Sequence, residues 1–391
     1  MSLIQKIADP AIQQEYYEHF MKRADPALNK TAAFDEFWHS ETMPQMVQSV
    51  LDGTFQLAVP EQIMLATGRE CYIYPKEQAY ILAFMAYVLM ELLDNDPICV
   101  YSAGHGGVCS FFQHHMEACK VPGSVVVRSD IRKFTKSVRR DVFIEVQRER
   151  LKDDPETFRV VEYLFSQGSY TVKGQTFTTE RNIFMGTAMD GFMMNAIFSH
   201  IDHMMRERCL NYARFYDDIA MVVRNRQEAE ETLEILQQEV QKLQLELHPT
   251  KTFINEGDEP YELLGMVVSG TDVALSKKTR EAFLAPVRQQ CRQAMKMVRA
   301  GKVPGNLALA KAIQEINFYI DLPRLQKQYN PLLDCITGPE SVRVLDHAIQ
   351  DWLRAVASGT TSNAKYRVSF EQLKAAGYRS IVSLFYQRHA H

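Results

Sequence analysis

The stretch NYARFYDDIAMVV (211–223) sets two adjacent carboxylates, Asp217 and Asp218, between the aromatic residues Tyr212, Phe215 and Tyr216 and the strand formers Ile219, Met221 and Val223. Aspartate is a common turn former, so an isolated Asp-Asp pair is weak evidence of chemistry. A further acid strengthens the case: GSVVVRSDIRKF (123–134) is a β-branched run that reads as a strand ending on Asp130. If the two strands are neighbours, Asp130 and Asp217 meet at one edge of a sheet and repel unless a cation lies between them. Mg²⁺ suits such a pair, because it takes oxygen ligands, commonly one or two carboxylates plus substrate phosphates. Two such ions roughly 3.5 to 4 Å apart support phosphoryl transfer. Asp217 and Asp218 fall at the turn of a hairpin, and adjacent strand residues face opposite sides, so one can aim at the site while the other need not.

Several elements must hold these acids. The run AYILAFMAYVLM (79–90) is too short for a membrane span, which needs roughly 20 apolar residues, and reads as a buried helix. Residues 225–247 carry Leu233, Leu236, Val240, Leu243 and Leu247 at three- and four-residue steps, the pattern of an amphipathic helix. TKTFINEGDEPYELLGMVVSG reads as two short strands joined by a turn at Gly257 to Pro260, and the chain beyond residue 276 reads as helical. Residues 277–302 hold eight basic residues and one acid. There Arg288, Arg292, Lys296 and Arg299 share a helical face, with Phe283, Val287, Ala294 and Val298 on another, so the helix packs on one side and can track phosphates on the other.

Composition narrows the class. The 391 residues are 46% hydrophobic and 24% charged with a net charge of −4, which suits a globular protein of two or three subdomains and excludes an all-over basic nucleic-acid binder. Seven scattered cysteines without CxxC spacing predict free thiols and a cytoplasmic protein, and MSLIQKIADP lacks the features of a signal peptide. His105, Cys109, His114, His115 and Cys119 fit no standard zinc spacing. AGHGG (103–107) is similar to a lipase oxyanion loop, yet no GxSxG elbow accompanies it, so the hydrolase reading falls. In the aromatic and basic tail, Tyr366, Tyr378 or Tyr386 could stack on nucleic acid or offer a priming hydroxyl, although core packing is the ordinary use of such residues.

The order of motifs resembles the palm of reverse transcriptases over roughly residues 66–300. SDIRKF is similar to the first catalytic motif and RFYDDI to the aromatic-x-Asp-Asp motif. MGTAMDGFMMNAIFSHID (185–202) aligns Gly186 and Asn195 with the family's Gly and Asn, and HPTKTFI and ELLGMVV resemble the two motifs that follow, with Lys251 and Leu264-Gly265 in place. The resemblance implies an α+β right-hand polymerase: a helical N-terminal extension (1–65), fingers and palm (66–275), and a helical thumb and C-terminal region (276–391). It makes Asp130 and Asp217 the metal ligands with the Ile131 carbonyl helping, Asp218 the second catalytic acid, and two Mg²⁺ ions the cofactor, with Mn²⁺ as the alternative. Gly186 would let the backbone approach the nascent pair, Arg69 and Lys76 would lie near the triphosphate, and Lys251 would also face the nucleotide.

The chain departs from the family's usual pattern at two places. Met185 stands where the family has Gln, with Thr187-Ala188 in place of Ser-Pro, and a Met cannot make a Gln's hydrogen bonds. Thr135 stands where an aromatic gate usually meets the sugar, with Phe134 one residue early, so the preference for dNTPs rests on Phe134 taking over. These departures resemble the bacterial reverse transcriptases of antiphage defence (abortive-infection and defence-associated groups), with diversity-generating retroelement enzymes the nearest competitor. No integrase, nuclease or maturase segment is recognisable, so the chain is expected to supply synthesis alone. The expected partners are a noncoding RNA as template or scaffold, dNTPs, the DNA product, and a companion defence protein or a second copy of the chain, with no membrane. Two alternatives remain open: untemplated or protein-primed synthesis by the same site, and a non-catalytic RNA-binding scaffold.

Overall fold

The computed structural model describes residues 2–23, 30–65, 68–93, 107–256, 259–270, 272–321 and 332–389. Cys99, His105, most of the AGHGG loop and residues 257–258 of the expected turn lie outside the described residues. By packing the chain forms two units, Met1–His105 with Val125–Ile254, and Gly106–Ser124 with Asn255–His391.

In the first unit a 3-10 turn (Leu3–Ala8) leads into α1 (Pro10–Arg23), α2 (Lys30–Trp38) and α3 (Thr42–Asp52). A strand pair, β1 (Glu61–Met64) and β2 (Glu70–Ile73), precedes α4 (Lys76–Leu89). The expected apolar helix is α4, buried through Ile81, Leu82, Phe84, Met85, Val88 and Leu89. The N-terminal helices join the same core through aromatic rings: Tyr16 packs 4.9 Å from Phe84, and Phe20 stacks 3.7 Å from Phe34. This packing runs across the functional division expected near residue 65.

After α5 (Gly107–Cys119), which belongs to the second unit, β3 (Val125–Asp130) begins the sheet that carries the acids. All six residues of β3 are buried, as its β-branched run requires for a strand covered on both faces. The short α6 (Phe134–Ser137), α7 (Arg140–Arg150) and α8 (Pro155–Ser166) follow. Asp154 caps α8 by accepting from Thr157 N, with Pro at the first helical position, and its other oxygen accepts from Leu3 N at 2.8 Å. The hairpin β4 (Ser169–Val172) and β5 (Gln175–Thr178) extends the first strand pair in the order β2-β1-β4-β5. Then come α9 (Ala188–Ala196), α10 (Ser199–Arg208), the hairpin β6 (Asn211–Phe215) and β7 (Asp218–Val223), and α11 (Arg226–Lys242). The predicted amphipathic helix is α11, which buries Leu236 and Val240 and packs on β3 and β7. β8 (Phe253–Glu256) completes the sheet in the order β6-β7-β3-β8.

The second unit holds a separate sheet of β9 (Tyr261–Leu263), β10 (Met266–Ser269) and β11 (Asp272–Leu275), followed by α12 (Lys277–Arg299), α13 (Gly305–Asp321) and a helix over Glu340–Ser358. The sequence predicted two strands after Lys251; the structure has four, because β8 pairs into the sheet of the acids while the other three close on themselves. Leu264 (φ 50°) and Gly265 (φ 78°) form the β9–β10 turn, and two left-handed residues in a two-residue hairpin are the type I′ pattern. Among the described residues no helix is long and apolar enough to cross a membrane.

Candidate active site

The register of the central strands brings the acids together. In the antiparallel β3–β7 pair Asp130 lies opposite Asp218, and in the β6–β7 pair Phe215 lies opposite Asp218, so Tyr216 and Asp217 form the turn. Tyr216 takes the left-handed conformation at φ 51°, which is strained for a bulky residue and persists only where its surroundings dictate it. Those surroundings are polar and specific. The Tyr216 carbonyl accepts from Arg214 Nη1 at 3.0 Å, and the Asp217 carbonyl accepts from Ile131 N at 3.0 Å. Arg214 is 1% exposed and donates from Nε and Nη2 to both oxygens of Asp202, at 2.9 and 2.7 Å. It also reaches Asn195 Oδ1 at 3.5 Å and lies over the Phe198 ring. Tyr212 donates to Asp202 at 2.6 Å, and burial beside that carboxylate pushes its hydroxyl pKa far up.

Each of two acids has a cation. Lys251 Nζ lies 2.6 Å from Asp130 Oδ2, and that hydrogen bond raises the lysine's pKa. The lysine arrives there because residues 246–248 run beside 130–132: Arg132 N donates to Glu246 O, His248 N donates to Asp130 O, and Ile131 bridges Leu247. Arg128, on β3, reaches Asp218 Oδ1 at 3.1 Å. Asp217 has no ion pair among the described interactions; burial, then the charges of Asp130 and Asp218, push its carboxyl above the usual range, with Lys251 opposing.

A divalent cation fits this donor set. Asp130 and Asp217 are the carboxylates that would hold it, and its charge would relieve the repulsion that lifts Asp217. Among the described residues no three His, Cys, Asp or Glu side chains form a metal cage. Mg²⁺ does not require one, since it is commonly held by one or two carboxylates with the remaining positions filled by water and phosphate.

The other sequence-predicted residues divide. Gly186 takes φ 88°, and a Cβ there would collide with Cys71 Sγ, so glycine is required twice over. Its turn is held by Tyr72 N donating to the Met185 carbonyl at 2.9 Å and by the Asp190 carboxylate, which accepts from Gly186 N and from Asn182 Nδ2. Met185 is 6% exposed and packs into the core. Phe134, expected as a substitute sugar gate, is 2% exposed with its ring against Phe198 at 5.6 Å, so it is a core residue; Thr135 beside it is half-buried. Lys133, the residue before it, takes the left-handed conformation at φ 51°, and Phe134 opens α6. Arg69 and Lys76 are exposed, and no described contact joins either to the acids.

On α12, Phe283, Val287, Cys291 and Met295 form the buried face. Part of the basic face is committed within the chain: Arg288 pairs with Glu281, Arg292 lies over Trp352 at 5.4 Å, and Arg299 donates to the Gly359 carbonyl at 2.7 Å, whereas Lys296 is exposed. His115 meets the Tyr261 hydroxyl at 2.5 Å. In the tail, Tyr378 is buried on Asp346, while Tyr366 and Tyr386 are exposed.

Sequence reasoning missed Arg128, Asp190, Asp202 and Arg214. The alternation Arg128-x-Asp130 was the one available signal, since it puts both side chains on one face of a strand.

Residues 108–268 match the family model described as "Reverse transcriptase (RNA-dependent DNA polymerase)", a span that contains Asp130, Gly186, Asp217, Asp218 and Lys251. No curated protein matches the sequence. Among solved structures, the chain is similar to apo telomerase from Candida Tropicalis truncated from its C-terminal domain (TM-score 0.44, 14% identity, 56% of this chain and 54% of that one). It is similar also to telomerase from Candida albicans in complex with the TWJ fragment of telomeric RNA (0.46, 8%, 88% and 66%) and to apo telomerase from Candida Tropicalis (0.46, 12%, 84% and 68%). The chain spans about half the length of the first of these. The matched segment resembles a reverse transcriptase domain, and the described helices and sheets make the fold α+β.

Proposed function

We propose, from the premise that residues 108–268 form a reverse transcriptase domain, that the chain is an RNA-directed DNA polymerase whose reacting centre is the carboxylate end of the β3–β7 pair. The observation that carries this reading is the convergence of Asp130, Asp217 and Asp218, with the Asp217 carboxyl lifted by burial and by its neighbours. In the reaction, a primer 3′-hydroxyl attacks the α-phosphate of a dNTP and pyrophosphate leaves. Two divalent ions, Mg²⁺ by the nature of the ligands, would supply Lewis acidity and lower the pKa of the attacking hydroxyl. Asp130, Asp217 and the Ile131 carbonyl hold the cations. Lys251, released from Asp130, is free to meet phosphate oxygens; Arg69 and Lys76 steady the triphosphate; Gly186 admits the nascent pair. The template is a noncoding RNA, contacted in part by the basic face of α12, and the setting is bacterial antiphage defence in the cytoplasm.

The test is synthesis by the full chain purified with its retained nucleic acid, supplied with Mg²⁺ and each dNTP or NTP, beside an Asp217→Ala control. DNA complementary to the retained RNA, made by wild type and reduced at least about 10³-fold in the control, is the expected result. Product of equal yield from the control would sink the assignment. A second reading, untemplated synthesis by the same site, is favoured by one observation: Met185 is packed into the core and presents no polar group where the family has Gln. Repetitive DNA that survives nuclease removal of the RNA would select it.

A further inference from the structure

Arg128 and Asp130 are two residues apart on β3, so their side chains leave the same face. Arg128 is paired across the sheet with Ala220, and Asp130 with Asp218. Arg128 and Asp218 are therefore diagonal neighbours, a spacing that a long side chain closes. The guanidinium donates from Nη2 to Asp218 Oδ1 at 3.1 Å and from Nη1 to the Ile219 carbonyl at 2.9 Å, and its side chain is 8% exposed. Lys251, the cation on Asp130, is a contrast: it makes one contact at 2.6 Å and its side chain is 55% exposed. A lysine on a flexible stem can leave for solvent or phosphate. Moving Arg128 away from Asp218 would strand a buried cation whose Nε already has no partner.

We propose that Arg128 is a positioning residue that keeps Asp218 as its counter-ion and so holds it out of the metal-binding set, leaving Asp130 and Asp217 as the pair that takes the divalent cation. The inference rests on the polymerase reading of the site. It makes the two adjacent aspartates unequal in role. Once Lys251 departs, two carboxylate charges face an incoming divalent ion, and the third is neutralised within the protein.

The test is Mn²⁺ binding to the full chain without nucleotide, read by electron paramagnetic resonance of the free ion, beside primed DNA synthesis at saturating dNTP. Asp217→Asn is expected to weaken Mn²⁺ binding at least about tenfold, whereas Asp218→Asn keeps the Kd within about threefold of wild type and lowers kcat. Arg128→Met frees Asp218 to join the set, so Mn²⁺ should bind several-fold tighter while kcat falls. Arg128→Lys, which keeps the charge, should restore the wild-type Mn²⁺ affinity. The proposal is overturned if Asp218→Asn loses Mn²⁺ as completely as Asp217→Asn, or if a folded Arg128→Met binds Mn²⁺ as wild type does. Should Arg128→Met not fold, Asp218→Asn decides, because that side chain is a third exposed. The expected binding pattern in a chain that makes no DNA would overturn the polymerase reading and leave the Arg128 assignment standing. DNA synthesis together with an Asp218 that binds metal would do the reverse.

Discussion

At the scale of single residues, the site is defined by how each charge is compensated. Asp130 is compensated by an exposed lysine, Asp218 by a buried arginine, and Asp217 by no side chain of its own among the described interactions. Asp190 is a separate case. Burial, with opposing hydrogen bonds from Asn182 and Gly186 N, raises its carboxyl from 3.8 to about 6. A carboxyl with a raised folded pKa binds its proton more tightly in the folded state than in the unfolded one, so its contribution is fully present below the unfolded value and is lost as pH rises through about 6. Asp190→Asn is therefore expected to flatten the fall in melting temperature between about pH 4 and 6 relative to wild type, as scanning calorimetry across that range would measure. A parallel pair of curves would show that Asp190 does not titrate there.

At the scale of elements, the hairpin β6–β7 carries a strained residue at its tip and a buried ion pair beneath it. Arg214 spans the two, donating to Asp202 of α10 and to the Tyr216 carbonyl. A buried pair of this kind is weak evidence for stability, but breaking it by removing one partner leaves an uncompensated charge. Arg214→Met should therefore cost about 3–5 kcal/mol in the urea midpoint analysis, and the double variant with Asp202→Leu should recover part of it. Because the Tyr216 carbonyl also loses its donor, the double variant should remain poor in kcat even where stability returns. Full recovery of both would mean that the turn holds its shape without Arg214.

At the scale of the whole molecule, the chain assigns its acids to one packing unit and its most basic helix to the other. The basic face of α12 is not uniform, since Arg292 and Arg299 have work within their own unit and Lys296 does not among the described contacts. Lys296→Ala should leave the melting temperature unchanged and lower the log–log salt slope of RNA retention by about 1. Arg299→Ala should lower the melting temperature as well, because the Gly359 carbonyl loses its donor. Equal salt slopes for wild type and Lys296→Ala would remove this face from the RNA path.

The strand of Asp130, the hairpin of Asp217, the buried α4 and the amphipathic α11 were legible from neighbouring residues alone, because β-branched runs, turn formers and apolar periodicity act over a few positions. The order of the acids and of Gly186 and Lys251 along the chain likewise carried the family resemblance. Phe134, expected to take over as the sugar gate, is packed against Phe198 in the core, because the burial of a side chain is set by residues that arrive from elsewhere in the chain. The separate sheet after Lys251 was missed because short strands do not announce their partners. Only the tertiary structure decided which cation meets which acid. Arg128 and Asp218 are 90 positions apart and Lys251 and Asp130 are 121 apart, and long side chains at such separations meet only once strand register has been set.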